Sequence, residues 1–433
     1  MHWSGELITR RRGGSAARRA RRSYLGRLAL TILLAESTAC GNLVGVESSP
    51  SRVDAADVET PANAALLVDG AAANFNCAFA DYITGAGLVS GELQWASTSP
   101  WGREYDQRAF NSASGFYATQ TCDTGLGIYK PLATARWQAD NTLKLLQGWT
   151  DQQVTGRQAL IARAAAYSGY AHVLLGEGMC SAAFDLGPEQ TPAQILARAE
   201  DRFTQALAAA RTAQLSDVTN LALVGRARAR LDLGKKAEAA ADAQLVTDGF
   251  VFNATYSAAR FRSYDFIYSN VNRDEGVVVG APFRAVAYNG TADPRVAVQN
   301  LGRTAADRTT PLWVQTKYGS LAAPVPIATW REALLISAEA QLGQAAVAAI
   351  NKLHARVGLP PFASTNDTQI MQQIIYERRA ELFLESHALG DVRRLSLPLA
   401  PAAGTPYPAG GTYGNQSCFP LPDNERLNNP NLS

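Results

Sequence analysis

The residue types that most often do chemistry in enzymes are not arranged for catalysis in this chain. Its 433 residues contain no G-x-S-x-G nucleophile turn, no phosphate-binding Walker loop and no H-E-x-x-H zinc motif. One glutamate stands near a histidine, in Glu385-Ser386-His387, but residues two apart on a helix lie on different faces. No particular pair of carboxylates points to glycoside hydrolysis. The residues therefore indicate no particular active site, and an exported hydrolase stays an alternative at this point.

A run of charged residues over 376–394 is the next candidate. It reads Y-E-R-R-A-E-L-F-L-E-S-H-A-L-G-D-V-R-R, with Glu377 and Glu381 four residues apart. Four-residue spacing places side chains on one helix face, and charges there more commonly form salt bridges than an active site. We expect this run to hold its helix against a neighbouring one.

Chemistry of another kind is predicted at Cys40. An apolar run over residues 28–35 is far shorter than the roughly 20 residues of a membrane-spanning helix and follows an arginine-rich start. Small residues precede Cys40, as in the lipobox where bacterial lipoproteins are cleaved and acylated. We expect a signal peptide over 1–39, lipidation at Cys40 and a tether over 40–61; a plain cleavage site is the alternative. Arg21-Arg22 leaves the export route, twin-arginine or general, open.

Charge and composition exclude a nucleic-acid-binding body. The net charge is +2, but residues 1–39 hold eight arginines against two glutamates, so the rest of the chain is mildly acidic and carries no basic stripe. Phosphate recognition depends on clustered Lys and Arg. With 47% hydrophobic and 18% charged residues, the chain is suited to form a large folded core.

Four further cysteines, an even number in a chain with an export signal, favour two disulfides. They are Cys77, Cys122, Cys180 and Cys418. None belongs to a C-x-x-C motif, and the four histidines do not cluster with them, so no metal site is predicted. Three pairings are possible at this point.

Aromatic residues are concentrated between residues 90 and 129, without helix or strand periodicity. Three large rings, Trp95, Trp101 and Tyr105, fall within eleven residues among Ser, Gly and Gln. Exposed flat rings can stack on sugar faces, whereas buried rings would anchor a loop. We predict that these three residues bind a ligand, with burial as the alternative for each.

The elements that must position these residues are mainly helices. Apolar spacing predicts a first helix over about 62–82. Residues 227–240 and 337–349 each contain an alanine-rich helix, a Leu-Gly break and a second helix of small residues, and a partial copy ends at Gly176. Such helix-turn-helix pairs are similar to tetratricopeptide repeats, and we expect them within about 158–249 and 330–395. Residues 249–326 should form short strands and loops.

The charged run resembles the late signature of SusD/RagB-type outer-membrane nutrient-binding lipoproteins, E-R-R-x-E-L followed by D-x-R-R. Further segments match the family in the same order along the chain. They are residues 292–295, 316–318, 330–340, 349–359 and 419–430. One departure is the sequence E-S-H-A-L-G-D over 385–391, where the family often has E-G-x-R-x-x-D.

The resemblance implies a mainly α, SusD-like fold over 62–433, with tetratricopeptide-like helical pairs as a spine and loop-rich, short-strand insertions. It also implies a non-catalytic lipoprotein, anchored in the outer membrane by lipid, facing the cell exterior and using no cofactor. Such a protein captures an oligosaccharide or peptide and hands it to a SusC-like TonB-dependent transporter. The alternative is a tetratricopeptide-like scaffold lipoprotein that binds peptides or assembly partners.

Two more expectations depend on the resemblance. Family ligand sites gather residues from two regions, which adds Trp313 and Tyr318 as a second ligand-binding group. The family's closing segment packs near the end of the first repeat helix, which implies a disulfide between Cys180 and Cys418. The other pair, Cys77–Cys122, flanks the aromatic loops and would pin them to the first helix.

Overall fold

The computed structural model describes residues 54–432, so the predicted signal peptide, Cys40 and most of the tether lie outside the described residues. The chain divides into two units after Val58. A four-residue helix α1, Ala55–Val58, belongs to the first unit. Within residues 54–432, no helix is long and apolar enough to cross a membrane.

Helices dominate the second unit, which confirms the predicted fold class. Their bounds are α2 Ala64–Ser90, α3 Arg103–Gln107, α4 Phe116–Thr119, α5 Tyr129–Gly148, α6 Arg157–Gly178, α7 Pro192–Thr212, α8 Ser216–Asp232, α9 Lys236–Ala243, α10 Phe266–Tyr268, α11 Trp330–Gln341, α12 Gly343–Val357, α13 Asp367–Glu381, α14 Ala388–Arg394 and α15 Asp423–Asn428. The predicted first helix is therefore longer than expected and continues to Ser90.

Small residues allow the central helices α6, α7 and α8 to pack closely. Phe203 of α7 lies between Gly169 of α6 and Gly225 of α8, and a Cβ atom on either glycine would come within 2.7 or 2.3 Å of its ring. Helix α7 begins with a capping box, in which the Thr191 side chain accepts the Gln194 backbone N–H. These features fix the helical spine that was expected from the alanine-rich pattern.

The Leu-Gly breaks have different roles. Gly234 follows α8 with φ +75°, and Gly343 opens α12 with φ +60°, conformations that favour glycine. The predicted break at Gly176 is wrong, because this residue lies inside α6. A Cβ atom there would lie 2.7 Å from the Leu196 side chain of α7. The role of Gly176 is therefore to let α7 pack closely against α6, and it does not end α6.

The strands are short and pair two by two. Their bounds are β1 Leu93–Trp95, β2 Val251–Ala254, β3 Val277–Val279, β4 Ala287–Tyr288, β5 Thr291–Ala292, β6 Val298–Thr304, β7 Pro311–Gln315 and β8 Val325–Thr329. The antiparallel pairs are β1–β3, β2–β8, β4–β5 and β6–β7. Seven of these strands lie in or next to the region where strands and loops were expected, and β1 brings the aromatic loops to them.

The charged signature lies in the interior as a set of ion pairs. Arg295 donates to Asp293 at 2.7 Å and to Glu377 at 2.5 Å, and His354 Nε2 lies 2.7 Å from the other oxygen of Glu377. Arg356 lies 2.6 Å from Glu381. The predicted role of the run, holding helices together, is confirmed.

Asp391 shows how strongly these pairs act. Its carboxylate accepts Arg378 Nε at 2.8 Å and Arg394 Nη2 at 2.8 Å. Burial alone would raise the pKa of Asp391, but the two guanidinium groups outweigh burial and hold the pKa well below its usual range. The carboxylate therefore stays charged and joins α13 to α14.

Candidate ligand-binding site

Trp95, at the end of β1, is half-buried and fixed by the loop that follows it. Its indole N–H donates to the Ser99 carbonyl at 2.9 Å, and its backbone N–H donates to the Asp106 carboxylate at 3.1 Å. A Cβ atom on Gly102 would lie 2.1 Å from Cε3 of the ring. The loop therefore closes directly over Trp95, and only glycine fits at position 102.

Trp101 precedes this glycine and is 47% exposed. Its ring centroid lies 6.4 Å from that of Phe116, with the rings tilted by 41°. Contact with one neighbour orients the indole while a large apolar area remains open to solvent. Among the predicted ligand-binding residues, Trp101 has the geometry of a stacking platform.

Trp313, on β7, is brought to the same region by an arginine. The guanidinium carbon of Arg284 lies 5.9 Å from the Trp313 ring centroid. Arg284 Nη2 donates to the Gln94 side chain at 2.9 Å, and its Nε donates to the Val279 carbonyl at 2.9 Å. Gln94 belongs to β1, so Arg284 connects the Trp313 ring to this strand, although the Gln94 and Trp95 side chains lie on opposite faces of it.

We call this group of residues the aromatic shelf, because the β1–β3 pairing and Arg284 bring their segments together. It consists of Trp95, Trp101, Trp313, Gln94 and Arg284. The shelf combines flat apolar rings with an amide and a guanidinium group, the combination that recognises sugar rings and hydroxyl groups.

A cavity of about 280 Å³ adjoins the shelf, and Gln94, Asp106 and Tyr413 line it. Asp106 accepts hydrogen bonds from the Trp95 backbone and from the Tyr407 hydroxyl, each at 3.1 Å. Burial raises the pKa of Asp106 to about 7. Its carboxyl group is therefore poised near neutral pH between donating and accepting a hydrogen bond.

Two predicted ligand-binding residues belong to the core instead. Tyr105 is fully buried and its hydroxyl donates to the Leu126 carbonyl. Tyr318 is also buried, and its hydroxyl donates to the Leu384 carbonyl at 3.0 Å. Both rings are covered by the chain, so neither is available for stacking on a ligand.

The buried rings form a cluster that explains much of the aromatic density in the loops. Phe419 lies 5.9 Å from Tyr105, 4.9 Å from Phe110 and 5.9 Å from Tyr117, measured between ring centroids. The rings supply the apolar burial that loops rich in Ser, Gly and Gln otherwise lack.

Disulfides hold this cluster in place. The two bonds in the structure are Cys77–Cys122 and Cys180–Cys418, the expected pairs. The second fixes Phe419, whose backbone carbonyl also accepts the Cys180 N–H at 2.8 Å.

Sequence reasoning missed Gln94 and Arg284. They are 190 positions apart, and the pairing of Leu93 with Val279 brings their segments together. Neither residue belongs to a motif, so the only signal was that Gln94 adjoins a predicted aromatic residue.

Comparison with known proteins identifies the fold. Residues 331–433, which include the charged signature, match the sequence profile of the SusD family. A SusD superfamily protein from Bacteroides fragilis superposes with a TM-score of 0.65 over 86% of this chain and 99% of its own, at 13% identity. The resemblance to the SusD/RagB family is confirmed by the family match over residues 331–433 and by the shared fold.

Other solved structures share the SusD fold. A SusD superfamily protein from Parabacteroides distasonis has a TM-score of 0.62, with 14% identity over 84% of this chain and 98% of its own. A SusD-like carbohydrate binding protein from Bacteroides vulgatus has a TM-score of 0.60, with 14% identity over 86% and 97%. No curated protein matches the sequence. At such identities the SusD-like structures establish the fold, and the ligand must be argued from the site.

Proposed function

We propose that this protein captures oligosaccharides at the surface of the outer membrane and passes them to a SusC-like TonB-dependent transporter. It acts by binding, without changing its ligand. The observation that carries the proposal is the half-exposed Trp101 of the aromatic shelf, whose other members include Trp313 with Arg284 over its ring and Gln94, which accepts a hydrogen bond from Arg284.

The chemistry of the shelf favours a sugar over a peptide as the ligand. A pyranose ring has an apolar C–H face that fits an indole and a rim of hydroxyl groups that bond to amide and guanidinium groups. Gln94 and Arg284 supply such groups beside the rings, and the adjoining cavity contains Asp106. The carbohydrate-binding name of one relative with the same fold supports this choice.

Anchoring by lipid at Cys40 follows from the short apolar run and the small residues before it. A bacterial lipoprotein terminus carries several acyl chains, and more than one chain is needed for stable attachment. Mass spectrometry of the mature protein should show an acylated Cys40 at its N-terminus. An unmodified Cys40, or a leader retained in the mature protein, would contradict this part of the proposal.

Calorimetric titration of the full chain with a panel of neutral oligosaccharides tests the ligand. We expect at least one to bind, and Trp101→Ala to weaken its affinity at least several-fold, since a stacked ring contributes about 0.5–1.5 kcal/mol beyond its buried area. Phe261→Ala is the control, because Phe261 is a similarly exposed ring outside the shelf and both cavities.

Unchanged affinity in Trp101→Ala, or equal losses in both variants, would place the ligand elsewhere. Release of reducing ends from any oligosaccharide of the panel would overturn the non-catalytic role.

A further inference from the structure

A second cavity, of about 480 Å³, lies between helices α5, α6 and α7. It shares no lining residue with the aromatic shelf or the cavity beside it. Cationic side chains outnumber carboxylates in its lining. They are Arg136, Lys144, Arg198 and Arg202, against Asp140 and Asp185. We call it the basic cavity.

Both carboxylates of the basic cavity are already paired within the chain. Asp185 accepts two hydrogen bonds from Arg136, at 2.7 and 3.1 Å. Asp140 accepts Arg202 Nε at 2.8 Å and the Ser168 hydroxyl at 2.7 Å. These contacts pair both carboxylates of the lining with two of its four cations, Arg136 and Arg202.

The other two cations have no such partner. Within residues 54–432, neither Lys144 nor Arg198 forms an ion pair with a carboxylate, and both are exposed. Arg198 Nε donates to the Gln190 side chain at 2.7 Å, which fixes the guanidinium group and leaves its outer nitrogens for a ligand. His172 also lines the cavity, but burial lowers its pKa to about 4, so it is neutral at pH 7.

An indole provides the exposed apolar surface of the basic cavity. Trp137 is 51% exposed and lies seven residues before Lys144 on α5, a spacing that places both on one helix face. The other apolar lining residues, Leu143 and Phe184, are buried. A ligand would thus meet one flat ring, surrounded by charged and amide groups.

We propose that the basic cavity binds an anionic saccharide, with a sugar face against Trp137 and a carboxylate or sulfate group between Lys144 and Arg198. Arginine binds such oxyanions through paired N–H groups. A bound peptide would need apolar pockets for its side chains, which this polar lining does not offer. The inference concerns a different site from the shelf and stands on its own observations.

Calorimetric titration of the full chain with trigalacturonate tests this proposal, with its trimethyl ester as the uncharged counterpart and a sulfated galactotriose as the second anion. We expect at least one anionic trisaccharide to bind and the ester to bind at least about tenfold more weakly. The trisaccharide that binds identifies the preferred anion. Affinity should also fall as salt is raised from about 50 to about 300 mM, because the cations are exposed.

Variants separate the basic cavity from other surfaces. Trp137→Ala and Arg198→Gln should each weaken anion binding at least about fivefold, while Trp101→Ala should leave it unchanged. Arg211→Gln, at the other end of α7 and outside the basic cavity, is the matched control. Thermal unfolding of Trp137→Ala should match that of the parent, since the ring is half exposed.

Absence of binding by both anionic trisaccharides would overturn the inference, as would full affinity in a folded Trp137→Ala. Tighter binding of hexaglutamate than of either trisaccharide would also overturn it and indicate an acidic peptide. None of these results bears on neutral sugars at the shelf, so the two proposals fail separately.

Discussion

The aromatic loops over 90–129 and the charged signature over 376–394 both concentrate side chains that are able to bind a ligand, and the fold uses them in opposite ways. In the signature, Glu377 and Glu381 are buried and each meets an arginine. In the loops the rings differ in exposure, since Tyr105 is fully buried whereas Trp101 is nearly half exposed.

The difference has a physical basis. An unpaired buried charge costs several kcal/mol, so charges that enter the core come with their partners. An exposed ring forgoes only its hydrophobic burial, about 25 cal/mol per Å², and keeps a face for another molecule. In this protein, the buried charges have their partners within the chain, whereas Trp101, which we propose as a ligand-binding residue, leaves a face without a partner.

Breaking the signature should have the largest effect on stability. Arg295→Leu leaves Asp293 and Glu377 buried without their shared cation, which should lower the free energy of unfolding by about 3–5 kcal/mol in urea titrations. Arg426→Leu is the control, because it removes an exposed pair with Glu189 and should change little. Equal losses of unfolding free energy in the two variants would mean that the buried ion pairs of the signature stabilise the fold no more than an exposed pair does.

Removing the disulfide beside the aromatic cluster should have the next largest effect. The double variant Cys180→Ala/Cys418→Ala should lose about 2–4 kcal/mol of stability, measured by chemical unfolding, because the bond joins residues 238 positions apart. Cys77→Ala/Cys122→Ala opens a shorter loop of 45 positions and should lose less. Oligosaccharide affinity would be measured on both variants. If it falls in proportion to stability, the conformation of the shelf depends on the cluster of buried rings that the disulfides hold.

The carboxyl group of Asp106 should make stability depend on pH in a direction opposite to that of Asp391. Burial raises the pKa of Asp106 to about 7 in the folded state, above its value of about 4 in the unfolded chain. The folded state therefore holds this proton more tightly, and the stability due to it is present below pH 4 and lost as pH rises through 7.

Asp106→Asn should remove on the order of 2–3 kcal/mol of the decline in unfolding free energy between about pH 5 and pH 8. Asp391, whose pKa is held low by Arg378 and Arg394, should contribute no change in this range. A variant with the full decline of the parent would show that Asp106 is already ionised at pH 5.

The smallest effects separate the two kinds of ring. Tyr105→Phe loses the hydrogen bond to Leu126 and should reduce stability by about 1 kcal/mol without changing oligosaccharide affinity. Trp101→Phe should keep the melting temperature of the parent and bind oligosaccharides more weakly, since a smaller ring offers less stacking area. Both variants would be studied by melting curves and titrations. A loss of affinity in Tyr105→Phe, or a loss of stability in Trp101→Phe, would contradict the distinction between buried and exposed rings.

Local patterns predicted much of the fold, because helix spacing and helix breaks depend on neighbouring residues. The breaks at Gly234 and Gly343 were found in this way, whereas Gly176 was misassigned because its role depends on contact with Leu196 of another helix. The sequence alone could not show that Tyr105 is buried and Trp101 exposed. Phe419, which packs against Tyr105, is more than 300 positions away in the chain and meets it only in the folded protein.

A crystal structure of the protein with the neutral oligosaccharide that binds most tightly would test the shelf most directly. We predict that a sugar ring lies against the exposed face of Trp101 and that its hydroxyl groups contact Gln94 or Arg284, the groups that already bond to each other at 2.9 Å. An oligosaccharide bound at another surface, with Trp101 still open to solvent, would contradict the account.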